Sequence, residues 1–285
     1  MGKYLVLQTD FGLGDGAVSA MYGVAHMVSD EVVVENLTHD IPPYDIWVAS
    51  YRLYQTVQYW PKGTVFVSVV DPGVGSDRRS IVCKTESGHY IITPDNGSLT
   101  HIKHYQGLAE VRRIDELTSR LPHSEESHTF HGRDIYAYNG ARLASGEINF
   151  DDLGEVVEPE TLQQLELVDA NEAKGILTGS IDVLDIRFGS LWTNIPLALF
   201  KEAGIVHGDS IQVSIFHEGN QVYQNIMMFA KSFADVHIGE PLVYVNSLVN
   251  MGVAVNQDSF SRLYHIGTGS SWTIQLRKAP KVIFD

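Results

Sequence analysis

YLVLQTDFGLGDGAVSAMYGVAHMVSD, residues 4–30, changes character twice within 27 positions. Its opening, YLVLQTD, is a short apolar strand that reaches an acid, Asp10. FGLGDG follows as a loop, since so many glycines favour neither helix nor strand. From Ala17 the apolar residues Val18, Met21, Ala25 and Val28 recur at helical spacing, and Asp15 stands where a carboxylate caps a helix start. The same alternation continues downstream. EVVVENLT (31–38) is a strand, and YDIWVASYRLYQTVQYW (44–60) carries Ile46, Ala49, Leu53 and Val57 on one helical face. TVFVSVV (64–70) is a β-branched strand that ends at Asp71, and SIVCKT (80–85) and YIITP (90–94) add two more. Strand–helix alternation predicts an α/β domain with a mainly parallel sheet. In such sheets ligands collect beyond the carboxyl ends of the strands, where Asp10 and Asp71 would both lie.

DIYAYNGARLASG (134–146) reads as a further helix. The stretch 151–175 is acidic, poor in aromatics and interrupted by Pro159, so it is expected to be the linker. Beyond it the pattern becomes one of short strands: ILTGSIDVLDI, SIQVSIF, QVYQNIMMFA, PLVYVNSL, GVAVN and WTIQLR. This predicts a second, smaller domain built as a β-barrel or sandwich. The expected domains are 1–165, holding the catalytic residues, and 174–285, completing the substrate site.

The chain has 285 residues and a formal net charge of −15, which disfavours nucleic acid and anionic membrane surfaces as partners. The one cysteine, Cys83, allows no internal disulfide, and it lies in a strand where a buried small hydrophobe is the ordinary role. No run is long enough to span a membrane, and the first apolar run is too short for a signal peptide. The expected location is a reducing cytoplasm.

Three groups of residues in the first half could carry chemistry. In TDFGLGDG, Asp10 at a strand end suits a ribose diol, although a turn with a helix cap explains the same residues. In VVDPGVGSDRRS, a compact turn returns Arg78 towards Asp71, which makes either a fixed, ionised pair or a plain salt bridge. In SHTFHGRD, His131 stands beside Phe130 just before a helix. In the second half, DIRFGSLWTNI mixes Asp185, Phe188, Ser190 and Asn194, groups suited to an amine and a heterocycle, or to an ordinary β-turn. No metal-ligand spacing, phosphate loop or nucleophile elbow is present, so neither metal nor organic cofactor is expected.

TDFG, VVDPGVG followed by arginine, PDNG (94–97), TFHGRD, FGSLWTN and FADV…GEPLVYVNS (233–247) occur together and in order. With them the chain resembles the adenosine-forming S-adenosyl-L-methionine (SAM) hydrolases, or SAM hydroxide adenosyltransferases, relatives of the fluorinase and chlorinase. The resemblance implies hydrolysis of SAM to adenosine and L-methionine by water activated through Asp71, Arg78 and His131. It places Asp10 on the ribose diol, Tyr44 and Phe130 in the pocket wall, and Asp185 and Phe188 at the methionine amino group. Ser247 falls where the methionine carboxylate is bound. Ser190 replaces an asparagine that reaches adenine in many relatives, and Leu248 replaces an arginine of the halogenating branch. Asp71 and Gly132 occupy positions that hold tyrosine and serine in that branch. The resemblance also implies a C-terminal β-barrel and a homotrimer with active sites at subunit interfaces. The alternatives are a SAM-dependent halide transferase and a protein that senses SAM or adenosine without turnover.

Overall fold

Seven strands make the sheet of the first half: β1 (Tyr4–Thr9), β2 (Val33–Thr38), β3 (Val65–Val69), β4 (Ser80–Thr85), β5 (Tyr90–Pro94), β6 (Leu108–Ile114) and β7 (Gly154–Val157). The computed structural model describes residues 3–280, so the outermost residues of the expected domains, 1–2 and 281–285, lie outside it. The chain divides into two units, one ending at Leu165 and the other beginning at Glu166. In the first, the sheet order is β2-β1-β3-β5-β4-β6-β7. Strands β2, β1, β3 and β5 run parallel, as the strand–helix alternation requires. β4 turns antiparallel to β5 and β6, and β7 antiparallel to β6. The reason is chain length: the few residues between β4 and β5 make a tight turn, and a parallel neighbour needs a crossover.

Helices cover both faces of this sheet, so its central strands are buried on both sides and mostly apolar. Every residue of β3 is buried. Leu5 and Leu7 face one core with Met21 and Ala25 of α1 (Ala17–Val28). Val6 and Phe66 face the other with Leu53 and Val57 of α2 (Ile46–Val57) and Ile102 of α3 (Thr100–Tyr105). Asp45 Oδ1 accepts the Val48 N–H at 2.9 Å and caps α2, whereas the N-cap of α1 is Gly16, and Asp15, one residue earlier, accepts the Ala17 N–H at 2.8 Å. The helix expected from residue 134 begins earlier, as a π-helical turn over Gly132–Ala137 that runs into α4 (Tyr138–Ser145). π-turns of this kind concentrate at functional sites.

The stretch 151–175 carries more structure than the linker expected there. Phe150 and Leu153 are buried, Gly154–Val157 is the edge strand of the first sheet, and Leu162 packs into its core. Its acidic residues are exposed, while Arg112 holds it through the Asp151 and Gly154 carbonyls at 3.1 and 3.0 Å. The extended chain is confined to about residues 163–170, and β8 (Asn171–Ala173) already belongs to the second unit.

That unit is a closed barrel of seven strands: β9 (Ile176–Leu184), β10 (Leu191–Pro196), β11 (Ser210–His217), β12 (Asn220–Phe229), β13 (Pro241–Val245), β14 (Asn250–Val255) and β15 (Gly269–Lys278). The order is β10-β14-β13-β12-β11-β15-β9, and β9 pairs back onto β10, with β8 added outside. Closure rather than a sandwich leaves no open edge among the seven. Phe200, Phe229 and Phe260, each at most 1% exposed, fill the interior with aliphatic residues from alternate strand positions. No helix among the described residues is long and apolar enough to cross a membrane.

Candidate active site

Asp71 lies just past the end of β3, and the loop after it consists of consecutive turns. Val74 N–H donates to the Asp71 carbonyl at 3.2 Å, Ser76 N–H to Gly73 at 3.0 Å, and Arg78 N–H to Ser76 Oγ at 3.3 Å. Gly75 is required: its φ is +77°, and a Cβ there would meet the His128 carbonyl. The loop is pinned from behind by Asn96 of PDNG, whose Nδ2 donates to the Val70 carbonyl at 2.8 Å.

These turns bring Arg78 back onto Asp71. Its Nε donates to Oδ1 and Oδ2 at 3.1 and 3.0 Å, and Nη2 donates to Oδ2 at 2.7 Å. Arg79 goes to the opposite side, as the next residue of an extended segment must, and donates from Nε to Asp95 at 2.7 Å. Arg78 Nη2 also donates to His131 Nδ1 at 2.8 Å. A guanidinium has no acceptor, so Nδ1 carries no proton and the neutral ring keeps its proton on Nε2. Burial, with Arg78 nearby, holds the His131 pKa below the usual histidine value despite Glu116. Burial alone would lower the Arg78 pKa, but Asp71 and Glu116 more than offset it, and the guanidinium stays charged.

His131 precedes the π-turn, and the Phe130 carbonyl accepts the N–H groups of Arg133 and Asp134 at 3.1 and 3.0 Å. Gly132 lies against the Phe11 ring; a Cβ would come within 3.2 Å of it, so a serine would press on the ring. Phe11 and Phe130 meet edge to face with centroids 5.9 Å apart. Asp10 Oδ2 accepts the Tyr44 N–H at 2.9 Å, and Tyr44, after Pro42 and Pro43, holds a φ of +68°, strained for an aromatic residue.

Asp10, Tyr44, Asp71, Phe130 and His131 line one cavity of about 260 Å³, with Arg78 behind its wall. Asp185, Phe188, Ser190 and Ser247 line another, of about 810 Å³, in the barrel unit. There Asp185 Oδ1 accepts the Arg187 and Phe188 N–H groups at 3.1 and 3.2 Å, the turn geometry that the sequence also allowed. Asn194 does not join them: its side chain serves β9 and the Val168 carbonyl.

Sequence reasoning missed Glu116, Ser80 and Tyr136. Arg78 Nη1 donates to Glu116 Oε1 at 2.8 Å and to Ser80 Oγ at 3.0 Å, and Ser80 Oγ lies 2.9 Å from the Tyr136 hydroxyl. Tyr136 stacks its ring under the Arg78 guanidinium, 5.7 Å from the centroid. The one available signal was position: Glu116 lies two residues past a strand end, as Asp71 does.

The first unit matches the family model for the SAM hydroxide adenosyltransferase N-terminal domain over residues 5–154. The second matches the corresponding C-terminal domain over residues 179–273. The (R)-S-adenosyl-L-methionine hydrolase of Methanocaldococcus jannaschii is 30% identical over 92% of this chain and 92% of its own length. That of Salinispora tropica is 35% identical over 89% and 90%. A fluorinase from an Actinoplanes species is 25% identical over 95% and 96%. The crystal structure of a conserved Thermotoga maritima protein, 30% identical, superimposes with a TM-score of 0.86 over 96% of this chain and 100% of that one.

Proposed function

The chain belongs to the SAM hydroxide adenosyltransferase family, and we propose that it hydrolyses SAM to adenosine and L-methionine at the cavity lined by Asp71 and His131. The observation that carries this reading is the Arg78 guanidinium, which holds Asp71 and His131 together through hydrogen bonds of 2.7 and 2.8 Å. Methionine leaves the sulfonium as a neutral thioether, so the leaving group needs no acid. The difficulty is the nucleophile. Asp71 accepts a proton from the attacking water, whose oxygen forms its bond to C5′ as the C5′–S bond breaks and its electron pair returns to sulfur. His131 Nε2, which has no partner among the described residues, donates to the same oxygen. His131 is thus a donor here, and the carboxylate is the base.

Asp10 takes the ribose diol, with its Oδ2 already oriented by Tyr44, while the Tyr44 and Phe130 rings exclude bulk water. Asp185 and Phe188 hold the methionine amino group, Ser247 its carboxylate, and Ser190 faces adenine. The homotrimer, with active sites at subunit interfaces, and the cytoplasmic location belong to the same proposal. The family resemblance supports the first, and the lone buried thiol Cys83 supports the second. A fluorinase-type reaction would require a bare anion beside the Asp71 carboxylate, which repels it. Incubation with SAM and chloride in oxygen-18 water tests the reading. Adenosine labelled at the 5′ oxygen is expected; 5′-chloro-5′-deoxyadenosine, or unchanged SAM retained by the protein, would overturn it.

A further inference from the structure

Hydrolysis releases one proton per turnover, and a desolvated cavity gives it no direct way out. Asp71, Arg78 and His131 side chains are 5%, 9% and 3% exposed, whereas that of Glu116 is 29% exposed. Glu116 lines a different cavity, of about 640 Å³, with Arg78 and Ser80 in its wall. The two cavities share no lining residue. Between them runs a row of buried hydroxyls. Tyr136 Oη is 3.5 Å from Asp71 Oδ2, Ser80 Oγ is 2.9 Å from Tyr136 Oη, and Glu116 Oε1 is 2.5 Å from Ser80 Oγ. Tyr136 is fully buried and Ser80 is 1% exposed.

We propose that Tyr136 and Ser80 relay the proton taken up by Asp71 to Glu116, which releases it to solvent through the second cavity. This rests on the hydrolase reading above. The directions of the resting hydrogen bonds suit the transfer. Ser80 has one proton to give, and its shorter bond is to Glu116; the Tyr136 hydroxyl then supplies the proton of the 2.9 Å bond. Tyr136 Oη keeps a lone pair for a protonated Asp71. In the transfer, Asp71 gives its proton to Tyr136, Tyr136 gives its own to Ser80, and Ser80 gives its own to Glu116. Each hydroxyl breaks one O–H bond and forms one, Asp71 returns to carboxylate, and water in the second cavity takes the proton from Glu116. Burial raises the Glu116 carboxyl, but the Ser80 and Arg78 hydrogen bonds and the Arg78 charge bring it below its usual value, so it begins ionised. Tyr136, raised well above its usual value by burial, keeps its hydroxyl proton and passes protons without ever becoming phenolate.

The experiment measures kcat, KM for SAM and the solvent deuterium isotope effect for wild type, Glu116→Gln, Glu116→Ala and Tyr136→Phe. Each variant should lose about ten- to a hundredfold in kcat, keep its KM and show a larger isotope effect. Formate, small enough for the second cavity, should restore Glu116→Ala and leave Tyr136→Phe slow. Glu116→Gln and Tyr136→Phe at the wild-type rate and isotope effect would overturn the relay. So would a Glu116→Ala loss that formate does not restore while Tyr136→Phe stays fast, since Glu116 would then only support Arg78. Wild-type protein that forms no adenosine would instead sink the hydrolase reading, and the relay with it.

Discussion

With Arg78 Nη2 donating to His131 Nδ1 at 2.8 Å, the working form of His131 is the neutral ring. Its pKa lies below the ordinary histidine value of about 6.5. Protonation fills Nδ1, breaks the Arg78 contact and sets two cations against each other. The sign follows: activity requires the deprotonated form, and a lowered pKa keeps that form down to lower pH. The acid limb of kcat should therefore fall below about pH 6.5, with a flat rate from there through neutrality. Single-turnover rates across pH 4.5–8 check this; a limb centred at or above about 6.5 would mean that burial and Arg78 do not hold the ring neutral.

Helix α4 reaches the sheet through a gap that has no room for a side chain. A Cβ on Gly140 would lie 2.7 Å from Val67 Cγ2 and 2.9 Å from Leu5 Cδ1, so the helix backbone rests directly on β3 and β1. The same helix continues the π-turn that follows His131, and β3 leads to Asp71. Packing here thus sets the spacing between the two sides of the site. Gly140→Ala should cost about 1–3 kcal/mol by overpacking, read as a lower urea midpoint with an unchanged slope. Because β3 leads into Asp71 and α4 continues the turn that follows His131, kcat should fall in the folded variant as well. A variant as stable and as active as wild type would show that Val67 and Leu5 simply turn aside.

The first unit stores an acid sensitivity in its core. His101 is fully buried among Trp47, Tyr51 and Tyr105, with Nδ1 2.9 Å from Ser50 Oγ, and burial lowers its pKa to about 4. The unfolded chain binds that proton from about pH 6.5 downward, and the folded chain does not. Stability is therefore whole above about pH 6.5 and declines as pH falls, by roughly 3 kcal/mol at pH 4 from this residue alone. Urea unfolding of wild type and His101→Phe at pH 7 and 4.5 isolates it: the drop between the two pH values should be smaller in the variant. Equal drops would assign the acid loss to other groups.

Sequence periodicity alone determined the parallel strands and long helices of the first unit and most strands of the second, because burial on one or both faces of an element leaves a local repeat; the edge strand β7 inside the acidic stretch 151–175 left none. Periodicity also placed Asp10 and Asp71 at strand ends, and the motif set brought Arg78 and His131 to the same argument. Other features have no local trace. Closure of the second sheet depends on β9 pairing with β10 as well as β15, a choice made by strand tilt and register. The β4–β6 register, with Ile81 against Arg113, brings Ser80 to the end of β6, where Glu116 stands. Tyr136 arrives there from a turn more than fifty residues beyond Ser80. A serine, a glutamate and a tyrosine so far apart share no spacing rule; only strand register and helix packing make them neighbours, and hydrogen bonding in a buried place then gives them a common chemistry.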